Sequence, residues 1–157
     1  MAMNTGPYSE KKVQQYLQEK FIPLKSECFW ENRTELMKQF AVAWTPTLLV
    51  LDQAGREHHR VVGFVPEDDF LAHLKLGKGM VFFNHFRFGE AMDEFTAVIE
   101  QHPHAGLVTE ALFFQGVAGY WTSHDPKSLR RAYDTLSAKF PASEWTRRAE
   151  PYQQIPL

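Results

Sequence analysis

The sequence predicts an α+β fold: a short βαββα layer at the N-terminal end, followed by an array of α-helical hairpins. Three observations carry this. Residues 47-TLLVLD-52 form a continuous β-prone run, the pattern of a strand covered on both faces. Ala54-Gly55 then supplies a turn, and 56-REHHRVVGF-64 returns antiparallel. Beyond residue 70 the apolar residues recur at helical spacing to the end of the chain, with only short breaks.

The elements follow in order. Residues 9-SEKKVQQYLQEK-20 place Val13, Tyr16 and Leu17 on one helical face, with Ser9 as N-cap. Residues 21-FIPLKSE-27 are a short strand candidate, although Pro23 cannot donate to a ladder. In 32-NRTELMKQF-40, Asn32 and Glu35 stand at capping-box spacing, and Leu36, Met37 and Phe40 form the apolar stripe. After the two strands, Pro66 takes the first helical position with Glu67, Asp68 and Asp69 in the first turn. Residues 70–102 and 107–150 read as helices, broken at 84-NHFRFG-89 and at Asp125-Pro126. A last helix at 143-SEWTRRAEPY-152 covers an otherwise exposed face. The change of character near Leu74 to Gly77 divides the chain into 1–74 and 75–157.

Composition excludes several function classes. The 157 residues are 44% hydrophobic and 23% charged, with thirteen Phe, which is ordinary soluble globular material. A formal net charge of −2 gives no electrostatic case for a nucleic-acid partner. No apolar run approaches a membrane span. MAMNTGPYSEKK has no apolar core of a signal peptide, so the chain as written is expected in the cytoplasm. That expectation becomes the periplasm if an upstream signal and thiol motif precede Met1.

Chemistry-bearing clusters are sparse. The seven histidines show no zinc spacing: His58 and His59 are adjacent on a strand and point to opposite faces, and His102 and His104 flank Pro103 in a turn. No metal and no cofactor is expected. Asp125, Asp134, Glu90, Glu94 and Glu110 lack a paired-carboxylate arrangement. Gly77-x-Gly79 lies inside a helix after no strand, which is the wrong context for a phosphate loop. Phe82, Phe83, Phe86, Phe88, Phe113, Phe114, Tyr120 and Trp121 are core material between helices. Asn84 and Gln115, polar amid these aromatics, are the residues expected to face the concave groove that paired repeat helices offer to peptides.

Residues 8–74 resemble the thioredoxin superfamily. The resemblance rests on Tyr8 and its helix, FIPLKSE, Phe40-Ala41-Val42, Thr45-Pro46-Thr47, LLVLD, the Gly55 turn, Arg60-Val61-Val62-Gly63 and the helix after Pro66. It implies a cis bond before Pro46, and Trp44, Thr45 and Pro46 as a peptide-docking loop in which the backbone of Thr45 pairs with an extended partner. The family's Cys-x-x-Cys and the strand leading into it are missing before Tyr8. The only cysteine is Cys28, a candidate reactive thiol whose other reading is an inert, buried one. The loss of the central strand implies that 21–27 and 47–52 pair directly or recruit a second chain, making a homodimer through an incomplete sheet edge. Gly79, Phe82, Ala91, Phe95 and Pro103 resemble a tetratricopeptide helix pair, and a longer second pair ends at Pro141. Together these imply a non-catalytic protein- or peptide-binding module with no catalytic residue. The alternative is the C-terminal part of a thiol-disulfide oxidoreductase whose thiol motif lies upstream.

Overall fold

A computed structural model describes residues 6–28 and 31–157. A 3-10 turn at Pro7–Ser9 leads into α1 (Lys11–Lys20), and α2 is short (Glu35–Gln39). The antiparallel pair β1 (Thr47–Leu51) and β2 (Glu57–Val62) is followed by α3 (Glu67–Asn84). Then come α4 (Phe88–Gln101), α5 (Val108–Ser123), α6 (Lys127–Lys139) and α7 (Glu144–Ala149), closed by a 3-10 turn at Glu150–Gln154.

Residues 21–27 are not a strand. Pro23 removes a donor, and Ile22 and Leu24 stay in solvent, so neither face of the segment has a core to enter. Phe21 alone turns back, its ring 6.1 Å from Tyr16. The layer is therefore α-α-β-β-α, and among the described residues its sheet has two strands. The expected pairing of 21–27 with 47–52 does not form. Two caps also differ. Thr34, not Asn32, caps α2, its Oγ1 accepting the Met37 N–H at 3.2 Å. Glu10 stands at the N-cap of α1, while Ser9 donates its hydroxyl to the Gly6 carbonyl. Pro66 sits one residue earlier than expected, at the N-cap of α3.

The register Leu48↔Val61 and Val50↔His59 places these four side chains on the face that α3 covers. There Leu48 and Val61 join Val13, Val65, Phe70, Leu71 and Leu74 in one core, and the Tyr8 ring meets Phe70 edge-on at 5.3 Å. The second core lies between the helices: Ala72 and Leu76 of α3 pack with Ala91, Phe95, Val98, Ala111, Leu112 and Leu136. Successive helices α3 to α6 are neighbours in space. Trp145 and Tyr152 lie over Phe113 at 5.2 and 6.0 Å, covering the outer face of α5.

Small residues set the helix spacing. A Cβ on Gly79 would stand 2.6 Å from Cε1 of Phe95, and one on Gly116 would collide with the Ala132 methyl. The same interval along the chain separates the members of each pair. α3 runs without a break through residues 74–77, where the sequence suggests a division.

Candidate functional site

Among the described residues, chemistry gathers at opposite ends of the β1–β2 hairpin. The first is the end nearest Pro46. The Thr45–Pro46 peptide bond is cis. The Gly63 N–H donates to the Pro46 carbonyl at 2.8 Å, and Thr47 donates its hydroxyl to the Trp44 carbonyl at 2.6 Å. Thr47 faces Val62 across the ladder. Trp44 precedes the cis bond and Val62 and Phe64 flank Gly63; they are 56%, 54% and 56% exposed. These are large apolar side chains half in water near one end of a sheet in which β1 has one neighbouring strand among the described residues.

The second place is the turn end. Asp52 closes the β1–β2 turn: Oδ1 accepts the Ala54 and Arg56 N–H groups, both at 2.9 Å. Its Oδ2 meets Arg56 Nε at 2.8 Å, His58 Nε2 at 3.1 Å and His85 Nε2 at 3.1 Å. The backbone donor of Arg56, followed by His58, holds this carboxyl far below the usual carboxylate range. His58 reaches Asp52 because the ladder slips between Val50 and Leu51, leaving His58 as an extra residue between Val50↔His59 and Leu51↔Glu57. Such a bulge re-aims a side chain. Asn84 meets the other nitrogen of His58, Nδ1, at 2.9 Å. Arg56, Glu57, His58, Asn84, His85 and Phe86 line a cavity of about 450 Å³ beside the cluster.

His59 turns the other way, under α3. Its Nε2 is 2.8 Å from Nδ1 of His73. Burial and then the neighbouring imidazole push the His59 pKa from 6.5 down to about 4, and burial lowers that of His73.

Residues 5–78 match the family model described as a thioredoxin-like domain. A thioredoxin-like domain is present in this chain. No curated protein and no solved structure matches the chain.

Within the thioredoxin-like domain, Trp44, Thr45 and Pro46 sit at the apolar end described above. Cys28 is half-buried, neither enclosed nor open, with Sγ 3.9 Å from the Ser26 carbonyl. The aromatic residues 29 and 30 expected beside it lie outside the described residues. Asn84 and Gln115 line different cavities. Asn84 binds His58 at the turn end, whereas Gln115 donates to Thr96 Oγ1 at 2.7 Å in a separate cavity of about 210 Å³ between α4, α5 and α6. The grouping of Asp52, His58 and His85 escaped sequence reasoning. Strict strand alternation separates His58 from His59 correctly, but it says nothing of a bulge that delivers His58 to the cap of a distant helix. The only local signal is the Asp52-Gln53-Ala54-Gly55 turn, in which an aspartate binds backbone two and four residues on.

Proposed function

We propose that the chain is a non-catalytic protein-interaction module in which the thioredoxin-like domain takes an extended peptide along β1 and the Trp44-Thr45-Pro46 loop. The observation that carries this is three half-exposed apolar side chains next to the cis Thr45–Pro46 bond, with Trp44 before it and Val62 and Phe64 flanking the Gly63 that bonds Pro46, in a sheet where β1 has one neighbour among the described residues. An added strand gains main-chain hydrogen bonds from a sheet edge, and pockets between alternate side chains give selectivity. The helices from α3 onward are read as tetratricopeptide-like pairs that buttress the domain. The close approaches at Gly79–Phe95 and Gly116–Ala132 support this reading, because that repeat places small residues where two helices touch. The partner strand is supplied by another protein or by a second copy of this chain.

A displayed library of unstructured peptides tests the reading. The chain is expected to select extended apolar sequences that lose binding to Trp44→Ser and Phe64→Ser variants of unchanged fold. Selection of nothing by the intact chain, or binding indifferent to both substitutions, would defeat it. Concentration-dependent self-association lost in the same variants would identify the second copy as the occupant. The single cysteine favours a binding role over dithiol exchange within these residues. Reduction of a disulfide substrate by this chain would replace the proposal with the oxidoreductase reading.

A further inference from the structure

We propose that Asp52, His58 and His85 form a binding site for a zinc-type divalent cation that ties the β1–β2 turn to the C-terminal end of α3. The donors come from three separately positioned backbones: the turn, the bulge in β2 and the C-cap of α3. One ligand atom from each of Asp52, His58 and His85 lies within 4.8 Å of the other two, and Nε2 of both histidines is 3.1 Å from Asp52 Oδ2. A tetrahedral zinc with bonds of about 2.0–2.1 Å holds adjacent donors roughly 3.3 Å apart, so little movement is needed to admit the ion. One carboxylate with two imidazoles suits zinc or cobalt, whereas magnesium and calcium require oxygen-rich sets.

Hydrogen bonding alone explains the cluster poorly. Three N–H groups, from Arg56, His58 and His85, converge on Oδ2, and a carboxylate oxygen has two lone-pair directions. Meanwhile Oδ1 is fully engaged by two backbone N–H groups. The carboxylate is thus fixed in orientation with one oxygen aimed at the point where the imidazoles meet. Arg56 is the group that yields: its side chain is 67% exposed, while that of Asp52 is 3% exposed. When the guanidinium swings out, the cation takes its place as the positive charge on Oδ2.

The outer shell fits as well. A metal on Nε2 of His58 leaves the proton on Nδ1, where Asn84 stands at 2.9 Å. Turning the Asn84 amide presents its oxygen as acceptor and fixes the ring, as ligating histidines require. His85 is the most exposed of the three ligands, at 38%, so the fourth coordination position opens toward the cavity beside Glu57 and Phe86 and holds water.

The test uses the full chain, stripped with chelator and titrated with cobalt(II). Expected is one equivalent bound with the intense visible absorption of a tetrahedral ion, displaced by zinc and untouched by magnesium, with a raised melting temperature. His85→Gln, at the exposed position, keeps the fold and weakens binding by at least about tenfold. Arg56→Ala tightens binding because the competing cation is gone. Absence of a cobalt band overturns the site, as does binding unchanged by His85→Gln, which would assign the ion to the other histidines. Weaker binding in Arg56→Ala equally overturns it, since the guanidinium would then be a partner and not a competitor.

Discussion

Gly79→Ala isolates the close approach of α3 and α4. In a helix interior this change gains about 1 kcal/mol from backbone propensity alone. The new methyl would stand 2.6, 2.9 and 3.2 Å from three atoms of the Phe95 ring, against an ordinary carbon–carbon contact of roughly 3.5–4.0 Å. Restoring that spacing moves the ring by about 1 Å. Phe95 is fully buried, and its ring centroid lies 6.4 Å from that of Phe83 and 6.0 Å from that of Phe114, so it has nowhere to go. Overpacking of this kind costs about 1–3 kcal/mol. The net expectation is a loss of about 1 kcal/mol. Gly89→Ala is the control: it lies in the first turn of α4 with nothing within 4 Å of the new Cβ, so it is neutral or stabilising by up to about 1 kcal/mol. Urea unfolding followed by far-ultraviolet circular dichroism, fitted with a common slope, should separate the two variants by about 1–2 kcal/mol. If Gly79→Ala proves as stable as Gly89→Ala, α3 and α4 do not meet where described.

Gly116→Val should be more damaging still, because its Cβ meets the Ala132 methyl and stands 3.3 Å from the Ser128 carbonyl, which is backbone and cannot rotate aside; the denaturation midpoint reads this. Stability should fall in mild acid through the His59–His73 pair. His59 has its folded pKa depressed from 6.5 to about 4, so its contribution is complete above pH 6.5 and is lost as pH falls toward 4. At about 1.4 kcal/mol per unit, the loss approaches roughly 3 kcal/mol, and His73 acts with the same sign. Urea midpoints of the parent and of His59→Asn should diverge over that window; parallel curves would refute it. Trp44→Ser and Phe64→Ser should leave stability within about 0.5 kcal/mol, because half-exposed side chains carry little of the core, while abolishing peptide binding in a fluorescence-anisotropy titration.

The parts legible in the sequence are those where one period dominates. TLLVL followed by an Asp-Gln-Ala-Gly turn allows few alternatives, and β1, β2 and α3 to α6 stand close to where apolar spacing places them. Residues 21–27 misled because β-prone composition cannot by itself supply a partner strand. Asn32 and Thr34 both offer an oxygen ahead of Glu35, and only backbone geometry decides that Thr34 reaches the Met37 N–H. The turn-end cluster was illegible for a different reason. Asp52, His58 and His85 become neighbours through a register slip of one residue and through the fold of α3 against the hairpin, and neither leaves a spacing signature.

Gly77 and Gly79 mark two packing surfaces on opposite sides of α3, close to residue 75. At 3.6 residues per turn, positions two apart point about 200° away from each other around a helix. A Cβ on Gly77 would fall 2.6 Å from Cγ2 of Val50 and 3.1 Å from Cβ of His59, while one on Gly79 would strike Phe95. The first glycine lets α3 lie against the sheet, and the second lets α4 lie against the opposite side of α3. Phe70, Leu71 and Leu74 accordingly enter the core with Val13 and Val65, whereas Ala72 and Leu76 enter the core with Ala91 and Phe95. α3 is the shared wall of both. Cutting the chain inside it would take from the hairpin the helix that lies against both its strands, and from α4 its neighbour. Anything that pulls on the turn end through His85, the C-cap of this helix, therefore acts on an element that both cores hold.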